Sequence, residues 1–288
     1  MKIEIKNVSY IYNQGNPYEK KALDSVNLEI NTGEFIGIIG HTGSGKSTLV
    51  QHLNGLMVPT SGNVIVGGID TKDNKASKID IRKNVGLVFQ YPEHQLFEET
   101  IYKDIAFGPK NLGCTEEEIE ERVKWACDLV GLDFENMKDE SPFELSGGQK
   151  RRVAIAGVIA MKPKFLVLDE PTAGLDPKGR DEILDQVKML HEKEGITVIL
   201  VSHSMEDVAK LVDRLIVMDD SKVFMDGSPR EVFSKKDELK SIGLGIPQVM
   251  DFMIRYKEMG HDISTDVLTV EEAYEVLSKY LREGKDVR

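Results

Sequence analysis

The chain has 288 residues, 40% of them hydrophobic and 30% charged, and it is long enough to bury a substantial core. Its formal net charge of −12 argues against broad nucleic-acid binding through clustered lysine and arginine, and against a polybasic membrane-surface protein. The two cysteines, Cys114 and Cys127, have no metal-ligand or CxxC spacing, and we interpret both as thiols of a reducing compartment.

The N-terminal region has the alternation of β-strands separated by turns, with Ile3, Ile5 and Val8 on one apolar face. Such a start is typical of a strand rather than of a signal peptide. The longest apolar runs, such as residues 196–201, are far shorter than the roughly 20 residues that span a bilayer. We therefore expect a cytosolic chain, which could still dock on a membrane protein.

A glycine-rich turn follows the apolar run Phe35–Ile39 and has the spacing G-x-x-x-x-G-K-[ST] of a phosphate-binding loop. Its glycines allow several amide N–H groups to point inward at a helix N-terminus. Lys46 would contact the outer phosphates, and Ser47 would hold Mg²⁺. The alternative is a glycine-rich strand-to-helix turn without a ligand, which would need neither Lys46 nor Ser47. We therefore predict a nucleotide site. We call this segment the phosphate loop; its residues are Gly40, His41, Thr42, Gly43, Ser44, Gly45, Lys46, Ser47 and Thr48.

Residues 91 to about 144 have a helical pattern inserted between strands. The preceding apolar strand, Val85–Phe89, ends at Gln90, whose amide could contact Mg²⁺ or the attacking water. Thr115–Glu118 is a capping box, and the apolar positions that follow recur at helical spacing as far as Gly131. The turn Leu145–Gln149 then opens a basic helix that we expect to start at Lys150.

Two further buried-type strands end in chemically active side chains. Strand 165–168 is followed by Asp169 and Glu170, and strand 197–201 is followed by Ser202 and His203. Strands that alternate with helices predict a mainly parallel sheet, whose carboxyl edge is where ligands bind. Asp169 suits the Mg²⁺ shell, Glu170 suits a general base for the water that attacks the γ-phosphate, and His203 could donate a hydrogen bond there. The alternatives are a helix cap, a solvated glutamate and a structural histidine.

The pattern changes after about residue 222. A short strand at residues 223–225 is followed by two amphipathic helices, the first with its stripe over residues 249–256 and the second capped at Thr269–Glu272. These stripes could pack on the body of the protein or on a partner.

The turn Leu145–Gln149 completes an ordered set with the phosphate loop, Asp169–Glu170, Ala173–Asp176 and His203. With this set, residues 1 to about 230 resemble an ATP-binding cassette (ABC) ATPase. The resemblance implies an α/β P-loop NTPase fold with a mainly parallel core sheet, an antiparallel β subdomain and an inserted helical subdomain at about 91–160. It leaves residues 231–288 as a C-terminal helical extension, which we predict to be a dimerisation element.

The resemblance also implies a head-to-tail dimer that sandwiches two ATP molecules with Mg²⁺. The phosphate loop of one subunit would face a turn of the other, which we call the signature turn: Ser146, Gly147, Gly148 and Gln149. By motif, Tyr12 resembles the aromatic residue that stacks on adenine, although its spacing equally fits sheet packing. Asp176 resembles the residue that couples the two sites. The predicted catalytic residues are Glu170, His203, Lys46 and Gln90, and the predicted Mg²⁺ ligands are Ser47, Gln90 and Asp169.

Three other stretches, Gln90–Phe97, Asp104–Pro109 and Gly245–Val249, are similar to the ATPases of energy-coupling-factor importers of vitamins and metal ions, and to their cobalt-transport subunits. This resemblance implies two ATPase subunits, identical or related, on the cytoplasmic face of the membrane. Their partners would be a membrane-embedded coupling protein and a separate substrate-binding membrane subunit. The coupling protein would dock on the helical region, where an acidic surface could accept its arginines or remain a solvated face: Glu93, Glu98 and Glu99.

Other functions remain to be weighed against this one. Another ABC importer or exporter would share the same ATPase motifs. A soluble ABC ATPase acting on nucleic acid or ribosomes would favour coiled-coil insertions, two cassettes or a basic groove, and the sequence has none of them. We therefore expect no nucleic-acid partner. A non-catalytic regulatory cassette is disfavoured because Glu170 and His203 are both present.

Overall fold

A computed structural model describes residues 1–73 and 78–283 of the chain. Its strands form two sheets, one of four strands and one of six. In chain order the strands are β1 (Lys2–Tyr12), β2 (Lys20–Asn31), β3 (Phe35–Ile39), β4 (Ser61–Val66), β5 (Ile69–Asp70), β6 (Val85–Val88), β7 (Phe165–Asp169), β8 (Thr197–Val201), β9 (Arg214–Asp219) and β10 (Lys222–Gly227).

Helices cover the larger sheet and form the insertion and the C-terminal region. They are α1 (Lys46–Leu53), α2 (Lys78–Asn84), α3 (Ile101–Asn111), α4 (Glu116–Leu129), α5 (Phe134–Met137), α6 (Gly147–Ile159), α7 (Pro177–Glu194), α8 (Met205–Leu211), α9 (Pro229–Ser234), α10 (Lys236–Ser241), α11 (Gln248–Glu258) and α12 (Val270–Glu283). Two short 3-10 helices, Pro92–Gln95 and Pro142–Glu144, begin with prolines, whose fixed φ suits a first helical turn.

The six-stranded sheet has the order β10-β9-β3-β8-β7-β6, and only β10 runs antiparallel to its neighbour. All residues of β3, β7 and β8 are buried, as is typical of parallel strands covered on both faces. Since parallel neighbours end at the same edge, β3, β8, β7 and β6 bring their following residues together. The predicted mainly parallel sheet is confirmed, and so is the antiparallel subdomain, which has the order β2-β1-β4-β5.

Alternate side chains of the large sheet enter two separate cores. Ile36 and Ile38 of β3 face the four-stranded sheet and α1, while Phe35 and Ile39 face the helices of the insertion and the C-terminal half. The sheet is therefore fixed from both sides, and its carboxyl edge is a rigid platform.

The helical insertion follows the sequence prediction closely at α4 and less closely at α6. The capping box at Thr115 is present, and Cys127 is buried in the core as the stripe predicts. Helix α6 does not start at Lys150 but at Gly147, because Ser146 is its N-cap and forms a second capping box with Gln149. Within the basic start of this helix, Arg151 is buried, with 2% of its surface exposed.

The C-terminal helices α11 and α12 enclose a small apolar cluster formed by Met253, Ile263, Val267 and Ala273. Arg230 at α9 pairs with Asp266 and Glu272, which ties this region to the body. The predicted cap of α12 is present, since the Glu272 N–H donates to Thr269. Residues 284–288 of the predicted extension lie outside the described residues. Over residues 1–73 and 78–283, none of the helices has both the length and the apolarity to cross a membrane.

Candidate nucleotide site

The phosphate loop joins β3 to α1 and requires glycine for two different reasons. Gly45 has φ +107°, and a Cβ there would lie 2.4 Å from the carbonyl oxygen of Ala22. Gly43 has φ +86°, and among the described residues a Cβ there would meet only the Lys20 ammonium nitrogen, at 3.8 Å. The first glycine allows the loop to pack on β2, and the second leaves room above the loop for a close-fitting ligand.

Lys46 and Asp169 carry opposite charges at the base of the loop. Lys46 Nζ donates to the carbonyl oxygens of Gly40 and His41, at 2.8 and 3.1 Å, and its burial lowers the pKa of the ammonium group. Burial raises the pKa of the Asp169 carboxyl, and a hydrogen bond from Ser47 opposes that shift. The hydroxyl and the carboxylate are therefore neighbours. Hard oxygen donors of this kind suit Mg²⁺, so these two residues fit the ion.

Glu170 stands immediately after β7, between the ends of two neighbouring strands. Its Oε2 accepts from Gln90 Nε2 at 3.1 Å, and its Oε1 lies 2.7 Å from His203 Nε2. The structure thus brings together three side chains that lie far apart in the sequence. The backbone of Glu170 has φ +51°, which is uncommon for a residue with a side chain and must be imposed by its surroundings.

Most of these groups line one open cleft of about 440 Å³, whereas Asp169 is buried behind it and is not among the lining residues. Gln90, Glu170 and His203 lie along one wall, and the lining also includes Tyr12, Lys20, Ala22, Thr42, Gly43, Gly45, Lys46, Ser47 and Thr48. The Tyr12 hydroxyl lies 3.1 Å from Thr48 Oγ1. The His41 ring turns outward to Asp219, at 2.9 Å, and the buried Ser44 hydroxyl packs beneath the loop near Gly40.

The signature turn lies elsewhere on the molecule. Among the described residues, the lining of the nucleotide cleft contains none of Ser146–Gln149. Instead this turn opens a different cavity beside Leu175 and Gly179. Ser146 and Gly147 are exposed, and Asp176 is the N-cap of α7, with its side chain accepting from Gly179 N. An exposed helix N-terminus with no role in its own cleft is available to another molecule.

The prediction of an acidic surface after Gln90 is wrong at Glu93. Its carboxylate accepts from Arg151 Nε and Nη2, at 3.2 and 2.9 Å, and is therefore already occupied within the chain. Burial alone would raise the pKa of Glu93, but the hydrogen bonds from Arg151 hold it below its ordinary value. Glu99 pairs with Lys103 at an exposed position.

Two residues near the site escaped the sequence analysis. Lys20 lies at the start of β2 and reaches the cleft only because β2 passes beside the phosphate loop. No motif marks it. The sequence did contain a signal that Arg151 is buried, because it lies among the apolar, buried positions of α6. Its partner Glu93 could not be found in the same way, since it is far away in the sequence.

Comparison with known proteins agrees with this geometry. A family model described as "ABC transporter" matches residues 23–173, more than half of the chain. The energy-coupling factor transporter ATP-binding protein EcfA2 of Clostridium tetani is 61% identical, over 97% of this chain and 97% of the relative. The EcfA2 protein of Clostridium perfringens is 58% identical, over 98% and 99%.

Solved structures are similar as well. The structure of cbiO1 from Clostridium perfringens, described as part of the ABC transporter complex cbiONQ, has a TM-score of 0.73 and 37% identity, covering 87% of this chain and 98% of that one. The dimeric, post-hydrolysis ATP-binding cassette MJ0796, bound to ADP and Pi, has a TM-score of 0.69 and 31% identity, covering 79% and 98%. The fold class predicted from the motifs is confirmed, and the chain belongs to the ABC transporter family as an ATP-hydrolysing subunit.

Proposed function

We propose that this chain powers an energy-coupling-factor importer by hydrolysing ATP held on the phosphate loop, with Glu170 as the general base. The observation that carries the proposal is the position of Glu170, whose two carboxylate oxygens are held by Gln90 and His203 beside the nucleotide cleft. A carboxylate so oriented can accept a proton from a water that replaces one of these partners.

The reaction follows from these positions. Loop N–H groups and Lys46 would hold the phosphates, and Ser47 and Asp169, with Gln90, would hold Mg²⁺, which offsets charge on the phosphate oxygens. Glu170 would take a proton from a water molecule while the oxygen of that water attacks the γ-phosphorus. The bond between the γ-phosphorus and the oxygen that bridges it to the β-phosphate would break. His203 would donate a hydrogen bond to the γ-phosphate. Tyr12, which lines the cleft beside Thr48, would stack on the base.

The signature turn supports a site completed by a second ATPase subunit. Three of its residues, Ser146, Gly147 and Gln149, are exposed, and the turn lines a cavity separate from the open nucleotide cleft. We propose that Ser146–Gln149 of one subunit closes on the ATP of the other, and that Asp176 couples the two sites. Residues 1–230 would form the ATPase domain, and the extension 231–288 would add to the dimer contact through exposed apolar side chains, among them Val270 and Tyr274.

A groove of about 580 Å³ on the helical subdomain supports a membrane partner. Phe97 and Phe107 meet edge to face on its rim, with 57% and 46% of their surfaces exposed. We call it the docking groove; its walls include Gln95, Leu96, Val153, Gly157 and Met161. Exposed apolar surface of this kind marks interaction sites.

We propose that a membrane-embedded coupling protein binds in the docking groove, which would hold the chain at the cytoplasmic face of the membrane. The transported solute, a vitamin or a metal ion such as cobalt or nickel, would be bound by a separate membrane subunit. The names of the similar proteins support this assembly, since they describe energy-coupling factor transporters and a part of the cbiONQ complex.

Replacing the proposed base tests the chemistry. We expect Glu170→Gln to bind ATP as the wild type does and to lose about a hundredfold or more in kcat, because the amide cannot accept the proton. Steady-state hydrolysis and equilibrium ATP binding measure the two quantities. Glu192→Gln, on the exposed face of α7, is the matched control and should leave both unchanged. Near wild-type turnover in Glu170→Gln would refute the assignment.

Ser146→Arg separates binding within one chain from hydrolysis in the dimer. The isolated chain should bind ATP normally, because Ser146 lies outside its own cleft, whereas kcat in the assembled complex should fall by about tenfold or more. Ser61→Arg, at the exposed start of β4, serves as the control. Weakened ATP binding by the isolated Ser146→Arg chain would contradict a role across the dimer.

Lys20→Met tests the cleft residue that no motif marks. The loss of one ammonium group beside Gly43 should raise the KM for ATP by about three- to tenfold and leave kcat unchanged. Lys21→Met is the control, because the Lys21 ammonium pairs with Asp24 instead. Equal KM values for the two variants would remove Lys20 from the site.

Phe107→Ser tests the docking groove. Loss of this exposed ring should abolish co-purification with a membrane protein while leaving ATP binding by the chain intact. Phe224→Ser, an exposed phenylalanine on β10, should still co-purify. Recovery of the wild-type chain with ribosomes or DNA, and with no membrane protein, would overturn the transporter assignment.

A further inference from the structure

Arg151 is a buried charged residue outside the cleft. Its side chain is 2% exposed, and its guanidinium group makes four hydrogen bonds. Nε and Nη2 donate to the two carboxylate oxygens of Glu93, and Nη1 donates to the carbonyl oxygens of Pro171 and Ala173, at 2.9 and 2.8 Å. A buried arginine with a bidentate partner has a fixed orientation, and the breaking of such a pair leaves an uncompensated charge.

The two carbonyl groups belong to the Glu170 turn, which we define as Glu170–Ala173. The turn is closed by a hydrogen bond from Ala173 N to the Glu170 carbonyl oxygen at 3.1 Å. It holds Glu170 at φ +51°, a left-handed conformation that persists only where the surroundings impose it. Arg151 contacts the turn on both sides of Thr172 and therefore fixes its path.

The carboxylate partner of Arg151, Glu93, lies just beyond the end of β6, the strand that Gln90 follows. Glu93 belongs to the 3-10 helix Pro92–Gln95, two residues beyond Tyr91 and three beyond Gln90. Tyr91 also has a left-handed backbone, with φ +55°. Gln90 and Glu170 contact each other at the cleft, and behind them Glu93 and the Glu170 turn are both bound to Arg151.

We infer that Arg151 is a positioning residue that clamps the Glu170 turn to the 3-10 helix after Gln90 and thereby fixes the Gln90–Glu170 contact. The clamp also reaches the proposed partner surfaces. Arg151 lies on α6, whose first residues form the signature turn and whose later residues, with Gln95, line the docking groove. A partner seated in that groove would contact both elements that the Arg151–Glu93 pair joins.

This inference rests on the role that we propose for Glu170. Arg151→Lys keeps the charge but loses the fork that binds a carboxylate and two carbonyl groups at once. In the full-length chain, purified with its native partners, we expect its kcat to fall by about tenfold to a hundredfold, since a small misplacement of a reacting group has an effect of that size. The ATP dissociation constant should stay within about twofold of the wild type, because the phosphate loop is untouched.

Two companion variants separate positioning from general stability. Glu93→Gln should also lower kcat. The double variant Arg151→Lys/Glu93→Gln should be no slower than Arg151→Lys alone, because Arg151 and Glu93 act as one unit. The matched control is Arg214→Lys. Arg214 likewise binds one carboxylate, that of Asp226, with two nitrogens, and it also donates to the Glu34 carboxylate and a backbone carbonyl. It lies at the start of β9, at the opposite edge of the sheet.

The outcomes are distinct. A kcat for Arg151→Lys within about twofold of the wild type, or an equal loss in Arg214→Lys, would overturn the clamp. If Arg151→Lys does not fold, Glu93→Gln decides by the same criteria. Glu170→Gln, assayed in parallel, separates the two hypotheses: rapid turnover in that variant refutes the base, whereas a slow Glu170→Gln beside a rapid Arg151→Lys refutes only the clamp.

Discussion

The parallel pairing of β3, β8, β7 and β6 is the constraint on which the site depends. Parallel neighbours in register must end at one edge, and here the residues after those ends are the phosphate loop, His203, Glu170 and Gln90. Each strand is buried by cores on both faces, so the edge does not shift. Gln90 and Glu170, which are 80 residues apart, and Glu170 and His203 therefore approach within hydrogen-bond distance without long loops to position them.

The backbone of the site is strained, and the residue that holds the strained segments, Arg151, lies behind the cleft. Glu170 and Tyr91 both have left-handed backbones without being glycine. Glu170 belongs to the Gln90–Glu170 pair at the cleft, and Tyr91 directly follows Gln90. Arg151 binds the segments that contain them. This arrangement uses a buried charge for orientation rather than for stability, because a buried ion pair contributes little net stability over apolar packing of the same volume. Its value lies in the fixed direction of the guanidinium fork.

The nucleotide cleft is separate from the two surfaces that we propose bind other subunits, the signature turn and the docking groove. The nucleotide cleft is lined by the phosphate loop and Glu170, while the signature turn lies at the N-terminus of α6 and the docking groove runs along its later residues, from Val153 onward. One helix thus connects both outward surfaces. The C-terminal helices add a small core of their own, around Met253, and an exposed apolar face.

The sequence by itself determined the phosphate loop, the strand ends and the sheet type, because these depend on local chemistry: a fixed spacing of glycines and lysine, runs of buried-type residues and their alternation with helices. It also placed the caps of α4 and α12, which involve side chains only three residues apart. Only the tertiary structure decided that Glu93 and Arg151 pair with each other and that Lys20 lines the cleft. The reason is physical, since a salt bridge or a cleft wall between distant segments depends on how the elements pack, and the charge of a single residue is the same whether it faces water or a buried partner.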